Sequence, residues 1–315
     1  YKIHVLRKKS VKLTLKTDPA DTVITLKDAD SKKLKAENGV YTLKAEETYS
    51  YVAVKAGYVT KKDTISVTED TEKTITMEKA PESTRKDVSA AWKNFRNSDD
   101  NMGITSAKTP TSEATTYEKW FKKLGSGWGA APSVQIIVDN SLIVMSANHI
   151  YKLDLNTGDI LQTGDMVAAT NFGYTPPTYA DGMIFAPLAD GRVQAFNAET
   201  LESLWVYQDM LKGQSLSPIT YSDGYIYTGF WNAETKDANY VCTPVTDEDP
   251  TNTQEAKEAA WQYTSLGGFY WAGSVVRGDY VVFGTDDGTS GSDGTGHVLS
   301  LNKKTGAVMD SVDVI

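Results

Sequence analysis

The sequence is short of several things that decide what a protein can be. It has one cysteine in 315 residues, Cys242, so no internal disulfide can form. Its three histidines and that cysteine make no set with zinc-site spacing. No run of about 18 apolar residues occurs, which leaves no candidate membrane-spanning helix. Positive charge is scarce over most of the chain. Residues 1–80 hold 16 Lys and Arg against 12 Asp and Glu, whereas the rest holds 16 against 29. A surface that acidic repels phosphate backbones, so nucleic acid is not an expected partner of the larger part. Cys242 itself lies in an apolar run, Tyr240-Val241-Cys242, and reads as a small buried hydrophobe.

What the chain has in quantity is alternation. Over residues 1–80, Val11-Lys12-Leu13-Thr14-Leu15-Lys16 puts apolar side chains on one face, the period-2 mark of a half-buried strand. Segments 23–27, 41–44, 51–55, 65–67 and 74–77 repeat it. Turn signals at Asp18-Pro19, Asn38-Gly39 and Gly57 separate them, which describes a six-stranded β-sandwich. The order "TDPADTVITLKD" followed by "NGVYTLKAEETYSYVAVKAGYVTKKDTISV" resembles the PEGA domain, a small bacterial module. The Pro-Glu-Gly-Ala turn of that family is absent, and Pro19-Ala20-Asp21-Thr22 stands in its place. A carboxypeptidase-regulatory-like sandwich reads much the same. The resemblance implies a spacer or adhesion module.

Residues 81–119 read as a linker and a lead-in to a second domain. Pro81 closes the last strand, and 106–118 is rich in Ser, Thr, Ala and Pro. Between them, Trp92-Lys93-Asn94-Phe95-Arg96 and Asn101-Met102-Gly103 resemble the segment that precedes the first blade of PQQ-like β-propellers. That resemblance implies that Trp92 and Phe95 anchor by packing.

Residues 120–315 repeat. A hairpin turn flanked by β-branched and aromatic residues occurs at Asp139-Asn140, Asp181-Gly182, Asp223-Gly224 and Gly278-Asp279. Its successive spacings are 42, 42 and 55 residues. Such a period fits four-stranded propeller blades, with an insertion near 232–260 lengthening the third. A second unit keeps step: Asp154-Leu155-Asn156-Thr157-Gly158, Asn197-Ala198-Glu199-Thr200-Leu201 and Asn302-Lys303-Lys304-Thr305-Gly306. These units, with Trp120, Trp205 and Trp261 opening outer strands, resemble the PQQ-like (quinoprotein dehydrogenase-like) propeller repeat over residues 92–315. The expected fold is therefore all-β, a sandwich at 1–80 followed by about four propeller blades. The family builds seven or eight, so an incomplete ring is expected, and with it a bare sheet edge open to association or to a chain that completes the ring.

Chemistry is harder to find. Quinoprotein dehydrogenases of this fold are expected to hold calcium through Glu, Asn and Asp, with a base, a stacking Trp and a vicinal Cys pair. The Cys pair is missing and the carboxylate set cannot be placed on blade positions, so PQQ is not expected as a cofactor. Asp286-Asp287-Gly288-Thr289-Ser290-Gly291-Ser292-Asp293-Gly294 lacks the order of an EF-hand and reads first as a hairpin tip, with calcium as the lesser reading. His149 and His297 hold equivalent blade positions, with Arg192 in the same place of another, and read as exposed turn residues rather than metal ligands. The informative feature is aromatic. Trp128, Phe172, Tyr174, Phe269, Tyr270 and Trp271 stand beside glycines just ahead of the first strand of three blades, with Gly213-Gln214-Ser215 in that place in the other, where a propeller borders its channel mouth. Flat faces held on tight turns suit sugar rings or extended peptides.

Together these point to a non-catalytic bacterial protein of the cell surface or extracellular space, with no resident cofactor and with a protein or cell-wall glycan as partner. An assembly platform like the PQQ-like lipoprotein of outer-membrane biogenesis is a further reading. The alternative is a PQQ-dependent or other propeller enzyme whose active-site blades are missing here. The chain opens on Tyr rather than Met with no signal peptide, as expected of a mature or trimmed exported protein.

Overall fold

Alternation of the first kind builds a sandwich. The computed structural model describes residues 8–170, 175–271, 273–291 and 293–314, with Trp128 described in its backbone alone. It divides into two compact units, Tyr1–Ala80 and Pro81–Ile315. In the first, β1 (Ser10–Asp18), β2 (Val23–Lys27), β3 (Val40–Lys44), β4 (Thr48–Val54), β5 (Lys61–Ser66) and β6 (Thr71–Thr76) form two sheets, ordered β3-β1-β6 and β2-β4-β5. β1 is antiparallel to β3 and parallel to β6. Its alternation sends Val11 and Leu13 into a core with Leu26, Leu43, Tyr49, Tyr51, Ile65 and Ile75, while the intervening polar residues face water. Asn38 and Gly39 both take left-handed φ values, the backbone that an Asn-Gly hairpin turn requires.

The second unit is a run of four blades, each an antiparallel meander. Blade 1 joins β7 (Ala90–Trp92), β8 (Ile136–Val138), β9 (Ser141–Ser146), β10 (His149–Asp154) and β11 (Ile160–Asp165). Blade 2 is β12 (Thr178–Ala180), β13 (Met183–Leu188), β14 (Arg192–Asn197) and β15 (Ser203–Gln208). Blade 3 is β16 (Thr220–Ser222), β17 (Tyr225–Gly229), β18 (Asp237–Pro244) and, beyond the inserted β19 (Glu255–Lys257), β20 (Trp261–Leu266). Blade 4 is β21 (Val275–Arg277), β22 (Tyr280–Gly284), β23 (Gly296–Asn302) and β24 (Val308–Val314). β19 runs parallel to β15, so the insertion of blade 3 widens blade 2 to five strands.

The repeated sequence units have repeated geometry. Asp139-Asn140, Asp181-Gly182 and Asp223-Gly224 all have left-handed φ at both positions, which gives two-residue turns matched to strand twist. In blades 1, 2 and 4 the pairing of the third and fourth strands slips by one residue at the same place, before Leu153, Phe196 and Leu301. The turn that follows is closed by one side chain in each case. Asp154 Oδ1 accepts from the N–H groups of Asn156 and Thr157, Asn197 Oδ1 from Glu199 and Thr200, and Asn302 Oδ1 from Lys304 and Thr305.

Blades are joined by tryptophan. The Trp205 indole N–H of blade 2 donates to the Val245 carbonyl of blade 3 (3.2 Å), and that of Trp261 in blade 3 donates to the Lys303 carbonyl of blade 4 (2.9 Å). Trp120, ahead of blade 1, donates in the same way to Leu155 (3.2 Å). Each acceptor is the first residue past a blade's third strand. Two of these rings lie so close to the turn that only glycine fits beneath them: a Cβ at Gly158 would sit 2.5 Å from Trp120, and one at Gly306 2.6 Å from Trp261. In blade 1, Gln162 holds the position of Trp205, and its cross-strand partner Lys152 reaches the Ala198 carbonyl (3.3 Å) of blade 2 instead.

The segment that opens the second unit is bonded into the blades. Arg85 pairs with Asp247 of the insertion at 2.7 Å, and the Val88 N–H donates to the Tyr179 hydroxyl. Tyr179 N–H donates to the Lys93 carbonyl, β7 pairs with β8, and Asn101 Nδ2 donates to the Ser274 carbonyl. Residues 85–88 thus touch the insertion and blade 2, and residues 89–101 run from blade 1 to the start of blade 4. The insertion is itself held by Lys257, whose ammonium is fully buried against Glu248, Glu255 (3.0 Å) and the Thr246 carbonyl (2.7 Å). Trp205→Phe keeps most of the packing but leaves the Val245 carbonyl without its donor. It is expected to cost about 1–2 kcal/mol in urea unfolding of the second unit; an unchanged midpoint would show that the indole N–H contributes nothing.

Candidate functional site

One end of blades 3 and 4 carries the aromatic cluster. It begins with two glycines after β20. Gly267 and Gly268 both take left-handed φ, and side chains there would collide: a Cβ would lie 2.8 Å from Asp286 in the first case and 2.6 Å from the Phe230 carbonyl in the second. The tight turn is pinned when the Phe269 N–H donates to Phe230 O (3.0 Å) and the Asp286 N–H to Gly268 O (2.9 Å). The three residues that follow then divide. Phe269 turns inward and is 1% exposed, packed edge-on to Tyr240 (5.2 Å) and Phe283 (5.6 Å), which themselves stack at 3.8 Å. Phe269 therefore offers no face to a ligand, contrary to the expectation from sequence, because the gap between blades 3 and 4 needs its bulk. Tyr270 and Trp271 turn outward, and Trp271 is 48% exposed.

Tyr270 stacks on Trp271 (5.9 Å, 16° between planes), and Trp231 lies 5.3 Å from Tyr270 at 40°. The three rings form a continuous ridge. Trp231 was not expected from sequence. It sits in the turn between β17 and β18, and only the doublet Phe230-Trp231 marks it. The ridge separates two clefts. One, of about 550 Å3, is lined by Tyr270, Asp286, Asp287, His297, Val298 and Val314 among others. The other, of about 450 Å3, lies on the Trp231 side beside Asp190, Lys212, Gln214, Asn232 and Lys236. Among the other expected site residues, Phe172 and Tyr174 lie outside the described residues, as does the side chain of Trp128.

The two carboxylates of the first cleft have opposite environments. Desolvation, and then the neighbouring Asp287 carboxylate, hold the Asp286 carboxyl above the usual range. Asp287 is held below it, chiefly because its Oδ1 accepts the Thr289 N–H (2.9 Å). Tyr270 is raised by desolvation and by Asp286. Both loop carboxylates are thus turned onto their own backbone, and among the described residues no group of three His, Cys, Asp or Glu could hold a metal ion. The expected turn histidines prove to be strand residues. His149 and His297 each bond the carboxylate directly across the outer strand pair, Asp165 (3.0 Å) and Asp313 (2.9 Å), as Arg192 bonds Gln208. Cys242 is buried on β18, and burial pushes its thiol well above the ordinary value.

Comparisons with known proteins follow the blades. Residues 110–232 match the family described as outer membrane protein assembly factor BamB. No curated protein sequence matches the chain. Among solved structures, it is similar to the quinohemoprotein alcohol dehydrogenase of Pseudomonas putida HK5, at 14% identity and TM-score 0.45 over 59% of this chain and 34% of that one. It is similar also to BamB of Moraxella catarrhalis, at 17% identity and TM-score 0.41 over 56% of this chain and 50% of that one. A europium-containing methanol dehydrogenase matches at 16% identity and TM-score 0.43, over 59% and 43%. The chain spans half or less of the length of these three structures. Among the described residues no helix is long and apolar enough to cross a membrane.

Because the folded Asp286 takes up a proton more readily than the unfolded one, its charge opposes folding. The favourable contribution is present below the ordinary carboxylate value of about 3.9 and is lost as pH rises through the raised folded value. Asp286→Asn, facing the same Asp287, Tyr270 and His297, should therefore raise the Tm at pH 7, with the gain shrinking to nothing near pH 3. A variant less stable at pH 7, or a gain independent of pH, would contradict this.

Proposed function

We propose that the protein is a non-catalytic binding or scaffold protein of the bacterial cell envelope or surface, whose blades recognise a glycan along the Trp231–Tyr270–Trp271 ridge. The ridge carries the reading. Three flat faces stand in a row, one of them half exposed, on a backbone fixed by Gly267 and Gly268, and such a platform suits the C–H faces of successive pyranose rings. The PEGA-like sandwich would serve as a spacer. The match of residues 110–232 to an outer membrane assembly factor supports an envelope scaffold.

The paired carboxylates of the first cleft lack the arrangement of a glycosidase pair. Retaining and inverting glycosidases flank the scissile bond with carboxyls about 5 to 9.5 Å apart, so that a sugar fits between them. Asp286 and Asp287 are sequence neighbours in hydrogen-bonding contact with each other, which leaves no such gap.

A second reading, a platform for a protein partner, draws on the last blade. Val298, Val312 and Val314 lie on one face of β23 and β24 and are 42–59% exposed. The two readings separate in a glycan panel that includes bacterial cell-wall polysaccharide, followed by calorimetry. The wild type should bind at least one polysaccharide, and Trp271→Ala, with unchanged Tm, should weaken that binding about tenfold or more. Equal binding by the variant, or none by the wild type, would remove the glycan reading.

A further inference from the structure

On blade 3, one glycine makes room for the chain that leads to the next blade. Gly229 ends β17 and lies opposite Tyr240 on β18. A Cβ at Gly229 would sit 2.5 Å from the Phe269 side chain, which fills the glycine's space and packs edge-on to Tyr240 (5.2 Å). The backbone of this connector is bonded there too, since the Phe269 N–H donates to Phe230 O (3.0 Å). On blade 2 the equivalent carbonyl, Leu188 O, accepts from Ser215 Oγ (2.6 Å) of its own connector. The end of a blade's second strand is thus where an incoming chain delivers a donor and, on blade 3, an aromatic ring.

Blade 4 repeats that place as an open, accessible cleft. Gly284 ends β22 as Gly229 ends β17, and it lies opposite Val298 on β23. Among the described residues beyond its chain neighbours, the nearest atom to a Cβ at Gly284 would be the His297 carbonyl oxygen, at 3.9 Å. The space belongs to the first cleft, which Gly284, Val298, Val314 and Tyr270 line. The Thr285 N–H donates to His297 O (2.8 Å) as the Phe230 N–H donates to Asn239 O (2.9 Å). Thr285 O therefore holds the position of Phe230 O. The carboxylates of Asp286 and Asp287 border the same cleft, an acidic rim that favours a cationic partner.

We infer that the first cleft is a docking slot for a protein partner, and that it takes an aromatic side chain carried on an extended, basic segment. The ring lies over Gly284 against Val298 and Val314, as Phe269 lies over Gly229 against Tyr240. The backbone N–H of that residue donates to Thr285 O, and a flanking Lys or Arg faces Asp286 and Asp287. Apolar burial supplies the affinity and the acidic rim the choice of partner. The slot goes beyond the glycan reading and does not rest on it, because neither Trp231 nor Trp271 lines it.

Gly284→Val tests it by filling the slot. Gly284 has no left-handed φ and sits in a strand, where valine is at home, so the Tm should be unchanged or raised. The probe is a blocked hexapeptide, Lys-Gly-Gly-Phe-Ser-Lys, titrated into the full chain while the assigned methyl signals of Val298 and Val314 are followed. Both should shift and saturate. Replacing the peptide's Phe by Ala should weaken binding roughly tenfold or more, and Gly284→Val should lose as much. Replacing both peptide lysines by Glu should also weaken it, whereas Trp271→Ala should bind the peptide as the wild type does. No saturable shift up to about 5 mM, where even a complex with a Kd of about 1 mM is mostly formed, would overturn the slot. Equal binding of the Phe and Ala peptides, or full binding by Gly284→Val, would overturn it too. Equal binding of the Lys and Glu peptides would overturn the basic partner.

Discussion

The second unit depends on one contact made again and again: an indole N–H donated to the carbonyl that ends the third strand of the next blade. Trp120, Trp205 and Trp261 make it at 3.2, 3.2 and 2.9 Å. It is polar and wholly or partly buried, so it fixes the rotation of one blade against the next more sharply than apolar packing alone. It also explains the turn beyond it. The Asx-closed loop carries glycine where the ring of Trp120 or Trp261 presses down, since a Cβ there would overlap the ring. In blades 1 and 4 the Asx-led turn and the lock coincide.

Strict repetition in the contact leaves the variable segments free to do something else. The insertion in blade 3 adds β19 to blade 2 and buries Lys257 among two carboxylates, while the loop after β17 raises Trp231 beside Tyr270. The double-glycine turn sends Phe269 inward as an anchor and its two successors outward. Consequently the ridge is rigid without belonging to a strand, the combination expected of a recognition surface built on a scaffold.

Much of this was legible beforehand. All six sandwich strands follow from period-2 alternation, and the blades follow from the Asp-Gly turns and the Asx-led loops. The site was legible in part. Glycine beside aromatics marked Tyr270 and Trp271, yet the same signal included Phe269, because periodicity cannot tell which side of a turn faces the gap between blades. Trp231 escaped notice because it lies in the turn after β17, and not ahead of a blade's first strand where the glycine-aromatic signal stands. Lys152 escaped for a related reason. It replaces a missing tryptophan from the neighbouring strand, a substitution visible only once Gln162 and Lys152 are seen opposite one another. The path of residues 89–101 from blade 1 to the start of blade 4 is likewise set by long-range bonds, such as Asn101 to Ser274, that local pattern does not encode.

Five of the seven tryptophans fall into two groups, with Trp120, Trp205 and Trp261 as structural locks and Trp231 and Trp271 as the proposed recognition surface. The most direct test is 19F NMR of protein carrying 5-fluorotryptophan, with resonances assigned by single Trp→Phe substitution and followed as a binding oligosaccharide is added. The resonances of Trp231 and Trp271 should shift in proportion to occupancy while those of Trp205 and Trp261 stay in place. Shifts confined to the lock tryptophans, or a ridge that stays silent at saturation, would contradict it.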